Sequence, residues 1–204
     1  MKKFLIFLTI LGIIGLGVGA GFAYVSHDKP ATKEVLPAQQ VATLPTKELA
    51  SPTEIANAIP KTLRIPSINL EATIESVGMD AKGNMDTPKD SDNVAWYNLG
   101  YKPGTVGNAV IAGHYDKADG SPAVFWNLSK LAVGDKVMVT DENGSEQTFQ
   151  VVRSEKYPYD QFPLQEVFGK SDKKMLNFIT CQGEWNSEAK NYSHRSVIYT
   201  ELVE

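Results

Sequence analysis

The sequence predicts a mainly β domain, built as a closed or nearly closed barrel or as a sandwich, with only short helices. Apolar and polar residues alternate within 63–78, a pattern typical of a half-buried strand. Two further strands are indicated within 135–157, because Asn143-Gly144 between apolar segments is a strong hairpin signal. Several short strands separated by turn residues are typical of barrels and sandwiches.

The remaining segments of this domain fit the same interpretation. The continuous apolar run at 107–114 suits a buried strand, and residues 175–181 and 194–203 resemble strands as well. Helical turns are expected only within 124–135 and 163–170. About 140 residues are enough to enclose one core. We therefore predict a single globular domain at 61–204.

The N-terminus predicts a membrane anchor. No residue from Phe4 to Val25 is charged, and about 20 apolar residues form a helix that crosses roughly 30 Å of hydrocarbon. Lys2 and Lys3 come before this run, so the positive-inside tendency keeps residues 1–3 in the cytoplasm and exports the rest. A cleaved signal peptide is the alternative, although the run is longer than its usual apolar region of about 7–15 residues. We expect a single-pass protein of the cell membrane with its domain outside.

A spacer is predicted at 26–60, where Pro, Ala, Thr and Lys are frequent and apolar periodicity is weak. Within it, residues 51–59 could form a short helix with Ser51 or Thr53 as N-cap. The net charge of −4 and the lack of a basic, aromatic-rich segment argue against nucleic acid as a partner.

Cys181 is the only cysteine, so no disulfide can form within the chain. In an exported protein, a single cysteine indicates a free and reactive thiol. The alternative is a small buried hydrophobic residue, because unpaired cysteines are among the most buried residues. Composition alone leaves both interpretations open.

A cysteine nucleophile needs a base or cation nearby and hydrogen-bond donors for the oxyanion. Of the three histidines, His27 lies in the spacer and His194 precedes the last strand. His114 follows a predicted buried strand, which would hold it rigidly, and is the better candidate base.

Arg195 is a candidate for stabilising negative charge. Strand alternation places Arg195 on one face with Val197 and Tyr199. A guanidinium in that position is expected to have a partner or a substrate. It pairs either with a nearby carboxylate or with charge that develops on a substrate carbonyl.

Three motifs together resemble one family. "AVIAGHYD", "NFITCQG" and "HRSVIY" occur in the order His, Cys, Arg behind an N-terminal anchor. This arrangement resembles the sortases, the membrane-bound cysteine transpeptidases of Gram-positive bacteria, over residues 63–203. Segment 63–116 is most similar to class F, with class D next. One departure is Phe178, where sortases usually have Leu.

The resemblance implies a sortase-like β-barrel and a role for each matching residue. It implies that Cys181 is the nucleophile, His114 the acid and base, and Arg195 the residue that holds the substrate and stabilises the oxyanion. Thr180 and the backbone N–H of Gln182 would support the substrate or oxyanion. Trp185, expected in the loop between the last two strands, would line the groove, with ordinary packing as the alternative.

The implied reaction cleaves secreted proteins between Thr and Gly of a Leu-Pro-X-Thr-Gly-like signal. An amine acceptor, typically a peptidoglycan precursor, then receives the protein. The implied reaction needs no metal or organic cofactor. No calcium site is expected either, because the chain lacks the ligand spacing of a calcium loop. The alternatives are an exported cysteine peptidase, an L,D-transpeptidase, or a non-catalytic tethered domain that binds the cell wall. L,D-transpeptidases typically have Gly directly before the cysteine, where this chain has Thr180.

Overall fold

The computed structural model describes residues 58–203. The predicted cytoplasmic N-terminus, the membrane anchor and the spacer up to residue 57 lie outside these residues. Within them, no helix is both long enough and apolar enough to cross a membrane. The strands are β1 (Pro60–Ile65), β2 (Leu70–Val77), β3 (Val94–Tyr97), β4 (Gly107–Gly113), β5 (Lys136–Asp141), β6 (Glu146–Pro158), β7 (Lys174–Asn186) and β8 (Asn191–Leu202).

These strands form a closed barrel, which confirms the predicted mainly β architecture and selects the barrel over the sandwich. The neighbour order is β1-β2-β3-β4-β7-β8-β6-β5, and β5 pairs with β1 to close the sheet. Most neighbours are antiparallel, but β2 pairs with β3, and β4 with β7, in parallel. Helical structure in the described part of the chain is short: one α-helix, α1 (Leu164–Phe168), and 3-10 turns at Pro66–Ile68, Leu128–Lys130 and Tyr159–Gln161.

The alternating segment at 63–78 contains two strands rather than one. Pro66 starts a 3-10 turn, and Asn69 adopts a left-handed conformation with φ 51°. The chain therefore reverses, and β1 pairs antiparallel with β2. Strand β3 has no counterpart in the sequence analysis, because its four residues are too few to show a period.

The hairpin predicted around Asn143-Gly144 is confirmed by the antiparallel pairing of β5 and β6. The N–H of Gly144 donates to the carbonyl of Asp141 at 3.1 Å. Gly144 has φ 80°, a conformation that glycine adopts without steric cost. The predicted helical turns are also present, as the 3-10 turn at Leu128–Lys130 and as α1.

Two apolar clusters pack on opposite faces of the sheet. The larger cluster fills the barrel and includes Phe125, Phe149 and Phe178, each fully buried. Burial of such a side chain contributes roughly 1.5–3 kcal/mol. The smaller cluster lies on the outer face of β4, β7 and β8, beneath α1, and its buried members are Val110, Val167, Val197 and Tyr199.

Buried amides attach α1 to this outer face. The side-chain amide of Asn108 on β4 donates to the carbonyls of Glu166 at 3.2 Å and Gly169 at 3.0 Å. The amide of Asn177 on β7 donates to the carbonyl of Val167 at 2.8 Å and to Asn108 at 3.3 Å. The short helix is thus fixed over the two strands that lead to His114 and Cys181.

Candidate active site

The strand register brings His114, Cys181 and Arg195 together. In the parallel pair of β4 and β7, Ala112 is the partner of Ile179. Two residues further along each strand, His114 and Cys181 therefore lie at the same level and on the same face. On the other side of β7, Cys181 is the direct antiparallel partner of Arg195.

All three residues line one open groove of ≈ 990 Å³. Its lining includes Ile179 and Phe168 of the outer-face cluster, so the groove lies over the outer face of the sheet. Lys190 and Asn191 also contribute to this lining, and Asp80 and Asp86 come from the β2–β3 connection. Its apolar lining residues are Met85, Tyr97, Ala112, Phe162, Leu164, Phe168 and Ile179.

Cys181 lies within β7 rather than at its end, so the expectation that this strand stops at the cysteine was wrong. The strand continues to Asn186 through an irregularity between Gln182 and Trp185. Gly183, at the irregularity, has φ 93°. The longer β7–β8 hairpin therefore extends beyond the thiol.

The Cys181 thiol is half-buried and is the one free cysteine of the chain. Burial raises its pKa above the ordinary value; the nearby Arg195 lowers the pKa and Asp116 raises it. The net effect is an increase, because desolvation disfavours the thiolate. A base that removes the proton during attack is therefore needed, and His114 is the histidine at this level of the sheet.

His114 is held mainly through its backbone. The carbonyl of His114 accepts from the N–H of Phe125 at 2.9 Å. The preceding Gly113 packs against the Phe125 ring, and a Cβ at residue 113 would lie 2.5 Å from that ring. The Nε2 atom of His114 lies 3.4 Å from the carbonyl oxygen of Pro88. This contact is long, so the imidazole remains available for proton transfer.

The other two histidines do not compete for this role. His27 lies outside the described residues. His194 precedes Arg195 on β8, so strand alternation turns its side chain to the other face. Its Nδ1 atom lies 2.8 Å from the hydroxyl of Ser193.

The guanidinium of Arg195 is oriented by neutral groups. It donates to the carbonyls of Tyr192 at 3.3 Å and His194 at 3.0 Å, and to the side-chain oxygen of Asn191 at 2.6 Å. Among residues 58–203, no carboxylate forms an ion pair with it. Its charge is therefore available to an anion in the groove. Val197 and Tyr199 share its face, as the alternation predicted.

The three supporting residues occupy different surroundings. The hydroxyl of Thr180 is buried and donates to the carbonyl of Gly113 at 2.9 Å, so it ties β7 to the residue before His114. Gln182 lies directly after the nucleophile, opposite His194. Trp185 is part of β7 rather than a loop, and its ring packs edge-on against Tyr192 at 5.2 Å. It is not among the residues that line the groove.

Sequence reasoning missed a second group beside the thiol. Asp116 was not among the candidate site residues, and its carboxylate accepts a hydrogen bond from the hydroxyl of Tyr192. This bond raises the pKa of Tyr192 to about 12. Tyr115 and Trp126 stack at 4.5 Å, and Tyr115 contacts Tyr192 at 5.7 Å. The abundance of aromatic residues within 115–126 and 185–192 was the available signal.

Comparison with solved structures identifies the same fold in sortases. Sortase C1 from Streptococcus agalactiae matches with a TM-score of 0.55 and 20% identity, covering 71% of this chain and 67% of that one. Sortase C-1 from Actinomyces oris matches with a TM-score of 0.56 and 20% identity, covering 70% and 73%. A lid mutant of sortase A from Corynebacterium diphtheriae matches with a TM-score of 0.54 and 20% identity, covering 74% of this chain and 75% of that one.

No curated protein sequence matches the chain. The family model described as the sortase domain matches residues 63–203. This match covers more than half of the chain and includes every strand that forms the site. The chain therefore belongs to the sortase family.

Proposed function

We propose that this protein is a cysteine transpeptidase in which Cys181 is the nucleophile, His114 the acid and base, and Arg195 the oxyanion-stabilising residue. The observation that carries the proposal is the register of β4, β7 and β8. It brings the three side chains to one level in one groove.

In the first half-reaction, the sulfur of Cys181 attacks a substrate carbonyl as His114 accepts the thiol proton. Negative charge then develops on the carbonyl oxygen. Arg195 and the backbone N–H of Gln182 are the proposed donors to it, because preorganised donors stabilise an oxyanion strongly. His114 returns its proton to the departing amine, and a thioester remains on Cys181.

In the second half-reaction, an amine attacks the thioester. His114 accepts a proton from the attacking nitrogen, the C–N bond forms and the C–S bond breaks. Covalent catalysis of this kind divides a difficult amide exchange into two easier steps. No step requires a metal or an organic cofactor.

The groove suits a peptide with apolar residues before the scissile bond. Ile179, Phe168 and Leu164 are among its apolar lining residues. The proposed substrate is a secreted protein with a Leu-Pro-X-Thr-Gly-like signal, cleaved between Thr and Gly. The proposed acceptor is an amine of the cell wall, and the N-terminal helix would hold the enzyme at the outer surface of the membrane.

The finer class assignment rests on the resemblance of segment 63–116. Class F is the proposed branch, and class D is the next candidate. A panel of sorting peptides that differ at the residues around Pro and Thr would distinguish substrate preferences.

The test uses the purified full-length chain and a quenched fluorescent Leu-Pro-X-Thr-Gly peptide, with and without triglycine. We expect cleavage in both cases and a ligated product with triglycine. Cys181→Ala and His114→Gln should abolish both products. His194→Gln is the matched control for the second variant, because its side chain lies on the other face, and it should remain active.

Three outcomes separate the alternatives. Hydrolysis without any ligated product would indicate a cysteine peptidase. Activity that survives Cys181→Ala would exclude a thioester. Wall binding by a protein that cleaves none of a broad panel of sorting and cell-wall peptides would support the non-catalytic tethered domain.

A further inference from the structure

Four aromatic side chains form a continuous row beside Cys181, which we call the aromatic row: Trp126, Tyr115, Tyr192 and Trp185. Successive ring centroids lie 4.5, 5.7 and 5.2 Å apart. The two tryptophans at its ends are 37% and 56% exposed. Exposed tryptophans joined by packed rings are typical of a binding surface rather than of a core.

Asp116 supplies the negative charge at this row. One carboxylate oxygen accepts the hydroxyl of Tyr192. Among residues 58–203, no group donates a hydrogen bond to the other oxygen, although Asp116 is half-buried. This carboxylate therefore keeps one oxygen free to accept a hydrogen bond from a cationic ligand.

This carboxylate also opposes the proposed nucleophile. Its charge raises the pKa of the Cys181 thiol. A carboxylate that only disfavours the thiolate would be a cost to the first half-reaction. Its position, close enough to the sulfur for the two charges to interact, also lets it hold a cationic group beside a thioester on Cys181.

The aromatic row is not part of the groove lining, although Asn191, the neighbour of Tyr192 on β8, is. None of the four aromatic residues lines the groove, whereas Cys181, His114 and Arg195 do. An acyl chain in the groove would place its thioester at Cys181. With the acyl chain in the groove, an incoming amine can approach from outside it, and Asp116 and Tyr192, which do not line the groove, are available to it there.

We propose that Asp116 and the aromatic row form the subsite for the acceptor, and that they bind its primary ammonium group. The ligand class is a primary ammonium at the end of a peptide or alkyl chain. Asp116 attracts the charge, Tyr192 and Trp185 offer π faces to the ammonium, and the remaining rings contact the attached chain. This inference rests on the proposed transpeptidase function and specifies its second substrate.

The proton balance is consistent with this arrangement. After thioester formation, His114 is neutral, because it has protonated the departing amine. The bound ammonium loses one proton to His114, and its nitrogen attacks the thioester carbonyl. The C–S bond then breaks, and the sulfur leaves as a thiolate beside protonated His114. The nitrogen loses its second proton to water, which leaves a neutral amide.

The test compares two acceptors in the full-length enzyme. Triglycine carries an ammonium at neutral pH, whereas hydroxylamine is largely uncharged there and also cleaves thioesters. For Asp116→Asn we expect the ratio of transfer to triglycine over transfer to hydroxylamine to fall by about tenfold, equivalent to 1.4 kcal/mol. Because both acceptors use the same acyl-enzyme, changes in acylation or in the thiol cancel in the ratio.

Two further variants separate the charge of Asp116 from a bracing role: Asp119→Asn is the control, and Tyr192→Phe lies within the subsite but retains an aromatic face. Asp119→Asn removes the same charge from the same loop, but its carboxylate bonds Ser121, so the ratio should not change. Tyr192→Phe removes the hydrogen bond and retains the Asp116 charge, so the ratio should stay within about twofold of the wild-type value. If the ratio falls as far in Tyr192→Phe as in Asp116→Asn, the hydrogen bond between the two side chains only stabilises the local structure. That result would overturn the proposal.

A second position keeps the test informative if Asp116→Asn folds poorly. Trp185→Ala changes an exposed side chain, and we expect the ratio to fall about threefold. An unchanged ratio in both variants overturns the subsite. Failure of the wild-type enzyme to cleave any sorting peptide would instead overturn the proposed function, so the two failures are distinguishable.

Discussion

Cys181 and Arg195 are direct cross-strand partners on β7 and β8. Side chains in such positions have Cβ atoms about 4.5–5.5 Å apart. The backbone ladder itself therefore sets the distance between the thiol and the cation. Arg195 is oriented by two carbonyls and Asn191 rather than by a carboxylate, so its positive field reaches the sulfur without a neutralising partner.

The first prediction concerns the thiol. Burial, the largest influence, raises the pKa of Cys181, so alkylation by iodoacetamide should increase with pH through a midpoint above the ordinary value of about 8.5. Arg195→Gln should move this midpoint upward, and Asp116→Asn should move it downward. A midpoint below that of a free cysteine peptide would contradict the electrostatic description.

The second prediction concerns the bond between Thr180 and Gly113. Thr180→Val keeps the shape but removes the buried donor, so the free energy of unfolding should fall by about 1 kcal/mol. Peptide cleavage should also decrease, because the residue before His114 loses its attachment to β7. Thr180→Ser is the control and should retain most of the stability and most of the cleavage rate, because it keeps the hydroxyl donor. Denaturant unfolding and initial cleavage rates measure the two effects.

The third prediction concerns the amides beneath α1. Asn108→Ala removes two bonds to the carbonyls of Glu166 and Gly169 and should destabilise the fold by roughly 1–3 kcal/mol. Because α1 carries groove residues, KM for the sorting peptide should rise, while the pH midpoint of Cys181 alkylation stays unchanged. Asn98→Ala, at an exposed amide that bonds Ser76, should leave KM unchanged. A loss of kcat alone would disprove this positioning role.

The fourth prediction concerns Gly113. A methyl group here meets the Phe125 ring at 2.5 Å, so Gly113→Ala should cost about 1–3 kcal/mol of stability and displace His114. Phe125→Leu in the same chain should recover part of the activity by relieving the contact. No gain in the double variant relative to Gly113→Ala would show that steric crowding is not the cause. Thermal unfolding and cleavage rates provide the measurements.

The sequence pattern was sufficient to predict a mainly β domain, a barrel or a sandwich, together with the β5–β6 hairpin, and it offered as candidates the three residues that the register brings together. These predictions depended on local signals: a buried apolar strand before His114, an alternating strand after Arg195, and glycine at a tight turn. Such signals belong to single segments, so they survive without knowledge of the tertiary structure.

The parts that were missed depend on contacts between distant segments. Strand β3 is too short to show a period, and Trp185 was expected in a loop because an irregularity at Gly183 hides the continuation of β7. Asp116 is near His114 in the sequence, but only the fold shows that it bonds Tyr192, 76 residues away. Amides in two apolar strands, Asn108 and Asn177, were a usable signal for the attachment of α1.

The most direct test of the central claim is intact-mass analysis of the full-length enzyme, rapidly quenched in acid after mixing with a Leu-Pro-X-Thr-Gly peptide without an amine. We expect an adduct with the mass of the acyl fragment on Cys181. The adduct should be absent in Cys181→Ala and should disappear when triglycine is added, with ligated peptide in its place. Turnover of the peptide with no adduct on Cys181, or an adduct on another residue, would contradict the account.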